Sequence, residues 1–194
     1  SVDFKMGAFD LSAQVAQLKA TPTDLVGVGA NPESAIKLAQ ELRRQGHKGR
    51  LIAGSTVGDP DLAARMGKDG EGTLIPSTFF SDLNDRTKRF TAEFTKRAKA
   101  ANLDRTQPSQ FDASTYDIVQ YYAWAMKEAK VTGDPKRLAE ERTGIREALG
   151  RMKAFPALEG AVSFGADNDA LKPIYIIEAR DGKWTLLETH APAN

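Results

Sequence analysis

The chain has 194 residues, 41% of them hydrophobic and 27% charged, the balance of a folded protein and not of a disordered segment. Its 27 Lys and Arg nearly match its 26 Asp and Glu, so no basic face for nucleic acid is expected, and the charges read as solvated helix faces. The absence of cysteine excludes disulfides, thiolate metal sites, iron–sulfur clusters and a cysteine nucleophile, and leaves the compartment open. No stretch approaches the roughly 18 apolar residues of a membrane span.

The chain opens on a strand-like Ser1-Val2-Asp3-Phe4 without a signal peptide, and the true start of the protein is expected upstream. Asp10 is placed to cap a first helix, on which Leu11, Val15 and Leu18 share one face. Residues 23–29 read as a short buried strand. Asn31 then caps a second helix with Pro32 at its first position, a stripe of Ala35, Leu38, Ala39 and Leu42, and Gly46 as its stop. Residues 50–54 form a second strand. Asp59-Pro60 opens a short helix ending near Gly67, and residues 72–76 form a third strand. This alternation predicts a parallel sheet with right-handed helical crossovers.

The pattern changes after Phe80. Asn84 starts a long helix carrying Phe90 and Phe94. Ser109 and Asp112 have the spacing of a capping box, with Asp in place of Glu. The helix they open continues through Tyr116, Val119, Tyr122, Ala123 and Met126. Asp134-Pro135 opens a third helix running toward Phe155. No strand is predicted between Phe80 and Gly160, so these helices are expected to cover a sheet encoded upstream of Ser1. Strands return at 161–164, 174–179 and 183–187. The last two flank Asp181-Gly182, a hairpin turn signal. The tail from His190 to Asn194 is read as frayed.

Catalytic signatures are weak. Gly27-Val28-Gly29 follows a strand, but Pro32 stands where a dinucleotide fingerprint needs its third glycine. His47 sits at a helix end, where a cation is favoured by the dipole, and His190 is in the tail; neither has metal-ligand spacing. No G-x-S-x-G elbow occurs. Asp59, Asp61, Asp69 and Glu71 do not match a calcium loop, and capping and a solvated turn account for them. No cofactor, metal or enzymatic activity is expected. What remains is geometric. Ligands of open parallel sheets bind beyond the carboxyl ends of the strands. Here those ends carry Ala30-Asn31, Ser55-Thr56-Val57 and Ser77-Thr78-Phe79. Asn31 has a second role as a cap, and Phe79 and Phe80 suit either core or cleft wall.

The order of elements resembles the type I periplasmic binding proteins of the branched-chain amino acid (Leu/Ile/Val) class. The resemblance rests on Phe9-Asp10-Leu11-Ser12-Ala13-Gln14-Val15, on Gly29-Ala30-Asn31-Pro32-Glu33 leading to Gly46, and on Leu51-Ile52-Ala53-Gly54-Ser55-Thr56. Gly70-Glu71-Gly72, Ser114-Thr115-Tyr116-Asp117, residues 160–164 and Gly182-Lys183-Trp184 complete it, so that it covers nearly the whole chain. It implies an α/β periplasmic-binding-protein-like type I fold: a parallel sheet flanked by helices, forming the C-terminal lobe plus returning helices of the N-terminal lobe. Residues 1–80 would belong to the C-terminal lobe and 81–164 to the N-terminal lobe, with strands in 165–194 returning to the first and crossings near Phe79 and Phe164.

The resemblance further implies ligand contacts at Ala30, Asn31, Ser55 and Thr56, and at Phe111 with Asp112 beside it. In the Leu/Ile/Val binders a tyrosine and a glutamate hold the ligand ammonium at positions aligned with Ala30 and Thr56. This chain has neither. A ligand without an ammonium, such as an aromatic or aliphatic acid, an amide or a neutral solute, is therefore expected on equal terms with an amino acid. The implied protein is a periplasmic or extracellular solute-binding component of an ABC importer. It would close by a hinge around a small molecule and dock on membrane permease subunits, with an N-terminal lobe that this chain lacks. The alternatives are a ligand-sensing domain of the same fold and, more remotely, an α/β enzyme.

Overall fold

The computed structural model describes residues 1–5 and 7–192 and divides the chain into two compact units. One holds Ser1–Ser77 with Tyr175–Thr189; the other holds Thr78–Ile174 and, among the described residues, the end of the chain from His190.

The first unit is a five-stranded sheet ordered β1-β2-β3-β7-β8. Its strands are β1 (Leu25–Val28), β2 (Arg50–Ala53), β3 (Leu74–Ser77), β7 (Ile174–Arg180) and β8 (Lys183–His190). β1 runs parallel to β2 and β2 to β3, as the alternating pattern predicts. β7 is antiparallel to β3, with Ser77 opposite Tyr175, so the sheet is mixed. The reason is topological: β7 arrives from the second unit and turns straight into β8, with no crossover helix to reverse its direction. At that turn Asp181 and Gly182 both take positive φ, 49° and 71°, the conformation a two-residue hairpin demands.

Helix α2 (Pro32–Arg44) has the expected boundaries. Asn31 Oδ1 accepts the Ser34 N–H at 2.9 Å, Pro32 occupies the first turn, and Gly46 leaves the helix with φ 82°. Ala35, Leu38, Ala39 and Leu42 recur at i, i+3, i+4 and i+7 and are all buried. With Val15 of α1 (Ser12–Lys19), Leu62 of α3 (Leu62–Met66), Val57 and Ile75 they make the core on one side of the sheet. The other side of β1 and β2 is open, with Leu25 and Ile52 exposed.

Several expectations need correction here. α1 starts one residue beyond Leu11, and Asp10 accepts the Ser12 N–H at 2.8 Å. α3 starts at Leu62, not at Asp59-Pro60; the Asp59 carboxylate instead accepts the Asp61 N–H at 3.0 Å and shapes a turn. His47 is not a favoured cation. Burial lowers its pKa, and the positive charges of Arg43 and Lys19 add to the effect. Arg43 itself serves the end of α2, donating to the carbonyls of His47 and Gly49 at 2.9 and 2.8 Å. β8 extends to His190, so the strand runs into the tail read as frayed; residues 193–194 lie outside the described residues.

The second unit packs three helices with a small sheet. α4 (Asp85–Ala100) starts from a capping box between Asn84 and Thr87. α5 (Gln110–Glu128) starts from the Ser109/Asp112 box that the spacing predicts. A 3-10 turn at Pro135–Arg137, capped by Asp134, leads into α6 (Leu138–Arg151). The sheet is ordered β4-β5-β6, from β4 (Phe155–Ala157), β5 (Gly160–Phe164) and β6 (Ala170–Leu171), all antiparallel. β4 overturns the expectation of no strand before Gly160. It is three residues long and contains Pro156, which reads against a strand yet is tolerated because β4 is an edge. β6 keeps the chain in this unit beyond Phe164, and the compact units part between Ile174 and Tyr175.

Tyr121, Met152, Ala157 and Val162 form one core, against which Trp124, Leu149, Phe155 and Phe164 pack; Phe79, Ala113 and Leu158, with Phe90, form another. Phe79 is thus core. α5 buries Ala113, Asp117, Tyr121 and Ala125. On a different face, Phe111, Ile118, Val119, Tyr122 and Met126 are exposed. Their spacing of i, i+7, i+8, i+11 and i+15 is one helical stripe.

Candidate functional site

In the first unit the carboxyl ends of β1 and β2 lie side by side, because the two strands pair in register from Leu25↔Arg50 to Val28↔Ala53. The segments that follow carry four of the residues singled out in the sequence. Ala30 and Asn31 lead into α2, both half-buried. The side-chain oxygen of Asn31 caps the helix, which directs the remaining N–H groups of the first turn outward as donors. Ser55 and Thr56 lie in a 3-10 turn, Ser55–Val57, that the sequence reading did not foresee.

That turn is held from three sides. Val57 is fully buried beneath it. A Cβ on Gly58 would come within 3.0 Å of the Ser55 carbonyl and 3.2 Å of Ile75 Cδ1, so only glycine fits without displacement. Beyond it, Trp184 Nε1 donates to the Asp59 carbonyl at 3.0 Å, which gives the Gly182-Lys183-Trp184 motif a physical role. Ala30, Asn31, Ser55 and Thr56 together present hydroxyls, an amide and backbone groups, and no carboxylate or cation.

In the second unit, Phe111 is 59% exposed on the first turn of α5. Asp112 is bound to its surroundings. Its carboxylate accepts the Ser109 N–H at 2.8 Å, the Ser109 hydroxyl at 2.7 Å, and Arg105 through Nη1 at 2.7 Å and Nη2 at 3.2 Å. Burial opposes its ionisation, but the hydrogen bonds from Arg105 and Ser109 prevail and its pKa is lowered. Such a carboxylate stabilises the fold above its unfolded pKa and loses that contribution as the pH falls through the native value. Asp112→Ala is therefore expected to cost about 1–2 kcal/mol at neutral pH. Its deficit against the parent in urea titrations should fade as the pH falls below the ordinary carboxylate range.

A polar cluster in the same unit was not singled out from the sequence. Glu159, 2% exposed, accepts the Thr78 hydroxyl, the Ser114 hydroxyl at 2.6 Å and Lys172 Nζ at 2.7 Å. Asp117, 1% exposed, accepts the N–H groups of Leu158 and Glu159 at 2.9 and 3.0 Å. Burial raises the Asp117 pKa against the pull of those two N–H groups, and the Glu159 charge adds to the rise. The signal was present: Asp117 shares the buried register of Ala113, Tyr121 and Ala125. Among the described residues no group of three or more His, Asp or Glu could hold a metal ion, and no helix is long and apolar enough to cross a membrane.

The sequence profile described as periplasmic binding protein matches residues 1–183. The chain belongs to this family. It is 28% identical over 188 residues to Leu/Ile/Val-binding protein homolog 1 of Brucella suis biovar 1 (strain 1330), covering 94% of this chain and 46% of that protein. With homolog 2 of Brucella abortus (strain 2308) it shares 27% over 180 residues, 92% of this chain and 44% of the relative. The chain thus spans about half the length of the curated relatives it matches. The leucine binding protein LivK of Thermotoga maritima superposes with a TM-score of 0.79 at 20% identity, over 97% of this chain and 51% of that one. A Rhodopseudomonas palustris ABC-transporter solute-binding protein in complex with benzoate gives 0.76 at 20%, over 98% and 49%. LivJ of Streptococcus pneumoniae in complex with isoleucine gives 0.74 at 22%, over 97% and 51%. These likenesses establish the fold, the α/β type I fold of periplasmic binding proteins.

Proposed function

We propose that this chain is part of an extracytoplasmic solute-binding component of an ABC importer, which takes up a small organic solute in a cleft between two lobes by hinge closure. The observation that carries this reading is the uncharged rim over the carboxyl ends of β1 and β2, formed by Ala30, Asn31, Ser55 and Thr56 beside the first turn of α2. Hydroxyls and helix-terminal N–H groups suit a carboxylate or a neutral polar group. An ammonium is held most strongly by acceptors with negative charge, and none of these four residues supplies one. Aromatic or aliphatic acids and amides therefore rank with amino acids as ligands. The benzoate and isoleucine complexes named above represent both classes, and both belong in the panel to be tested.

In this reading residues 1–80 form the C-terminal lobe, 81–164 belong to the N-terminal lobe, and strands in 165–194 return. Phe111 and Asp112 would contribute from the second lobe, Phe111 through its exposed ring and Asp112 chiefly by fixing the start of α5. The partners are the solute, the permease subunits and an N-terminal lobe outside this chain, in the periplasm or at the cell exterior. The apolar stripe on α5 and the open face of β1 and β2 support the need for further chain. Parallel strands and amphipathic helices are ordinarily covered on such faces.

Titration of the full-length protein with amino acids, aromatic acids, aliphatic acids and amides, followed by tryptophan fluorescence, tests the reading. A saturable response to at least one class is expected, and silence toward all of them would overturn it. Ser55→Ala should then weaken the responding solute about tenfold, the worth of one hydrogen bond to a charged or strongly polar group.

A further inference from the structure

Two of the chain's passages between its units, at Ser77–Thr78 and Ile174–Tyr175, leave the first unit from neighbouring strands. On the first unit's side, Ser77 ends β3 directly opposite Tyr175 of β7. On the second unit's side, the first passage begins with Thr78 and the second ends with Lys172-Pro173-Ile174. Thr78 and Lys172 are 94 residues apart in sequence, yet their side chains meet on one carboxylate, that of Glu159. Ser114 of α5 binds the same oxygen as Thr78, and Gln110 Oε1 accepts the Thr78 N–H at 3.2 Å. The Glu159 backbone is itself fixed, since Asp117 accepts its N–H and that of Leu158 across the β4–β5 turn.

We propose that Glu159 is a buried anchor that ties both crossing segments to the second unit, so that the two crossings respond as one. Each crossing is fastened at both of its ends: by the β3–β7 ladder on one side, and by Glu159 on the other. Only the Ser77–Thr78 link and the Pro173–Ile174 stretch lie between the fastenings. At these two passages deformation is thereby confined to the short links, and loosening one fastening at Glu159 loosens the other. With Glu159 buried and Lys172 half-buried, removing either partner leaves the other without its counter-charge, which makes the fastening costly to break from either side. The inference holds whatever solute the protein takes, since no residue of the rim is part of it.

Hydrogen exchange on the 194-residue chain, resolved by peptide, tests the anchor. Glu159→Gln keeps the shape and removes the charge that holds Lys172. Exchange at residues 78–80 and 172–175 should accelerate roughly tenfold or more, while β1, β2 and α2 keep their parent rates. Unchanged exchange at the crossings, or equal acceleration throughout both units, overturns the proposal. Lys172→Met and Thr78→Val carry the same test should Glu159→Gln fail to fold. Each should loosen both crossings, because the carboxylate is shared. Loosening only around the substituted residue contradicts the coupling.

Discussion

Asp117→Ala should destabilise the second unit by about 3–4 kcal/mol, among the largest effects expected of any polar residue in the chain. The carboxylate accepts two buried N–H groups, from Leu158 and Glu159, and alanine leaves both without their acceptor. A hydrogen bond to a charged group contributes about 1.5–3 kcal/mol, and an orphaned buried donor carries its full desolvation cost. A thermal melt followed by circular dichroism should show a midpoint lower by roughly 10 °C. A shift within 2–3 °C would mean that these bonds are dispensable. The pH dependence separates Asp117 from Asp112. Burial raises the Asp117 pKa, so its ionised form is the less favourable one in the fold. The part of its contribution that is linked to protonation is fully present below the unfolded carboxylate pKa and is lost as the pH rises through the raised native value, while the two N–H bonds persist. Asp117→Asn should remove that loss, whereas Asp112→Ala removes a contribution that appears as the pH rises.

Val119→Asp is expected to have opposite effects in two contexts. In the chain of Ser1–Asn194 the valine is 59% exposed, within a stripe from Phe111 to Met126 about 22 Å long. A charge there interrupts an adhesive surface, so self-association measured by sedimentation should fall, with little loss of stability. In a full-length protein whose N-terminal lobe covers the stripe, the same carboxylate would be buried without a partner. Destabilisation there should reach about 3 kcal/mol or more. Equal, small effects in both contexts would show that α5 keeps this face in water, and the proposed lobe assignment of residues 81–164 would fail with it.

Much of the fold was legible because its signals are local. Asn31-Pro32 and Gly46 bracket α2 by caps that act within one turn. Ser109 and Asp112 find each other three residues apart, and Asp181-Gly182 closes its hairpin by backbone preference alone. What escaped depends on distant partners. β4 exists because β5 offers it a ladder, and no pattern in Phe155-Pro156-Ala157 announces that. The His47 charge was misjudged because burial disfavours it and the helix terminus is already served by Arg43, whose fold-back onto the His47 and Gly49 carbonyls periodicity does not encode. The 3-10 turn at Ser55 is set by Val57 burying beneath it and by Trp184, 125 residues away from the carbonyl it binds. At the candidate site, the strand ends could be located from the alternation of elements. The hold of Arg105 on Asp112 could not, since it closes a loop that carries no periodic signal.

The register at the junction bears on how the molecule could be taken apart. Ser77 and Tyr175 are ladder partners in neighbouring antiparallel strands, so their α-carbons are about 5 Å apart. Everything between them is, in effect, a 97-residue insertion, Thr78–Ile174, whose points of departure and return coincide on the sheet. A two-residue Asn-Gly turn can bridge that gap without moving either strand. The first unit could thus be rewritten as an uninterrupted β3–β7–β8 meander beside the β1 and β2 crossovers. The strand-end rim would then sit on a minimal scaffold of its own.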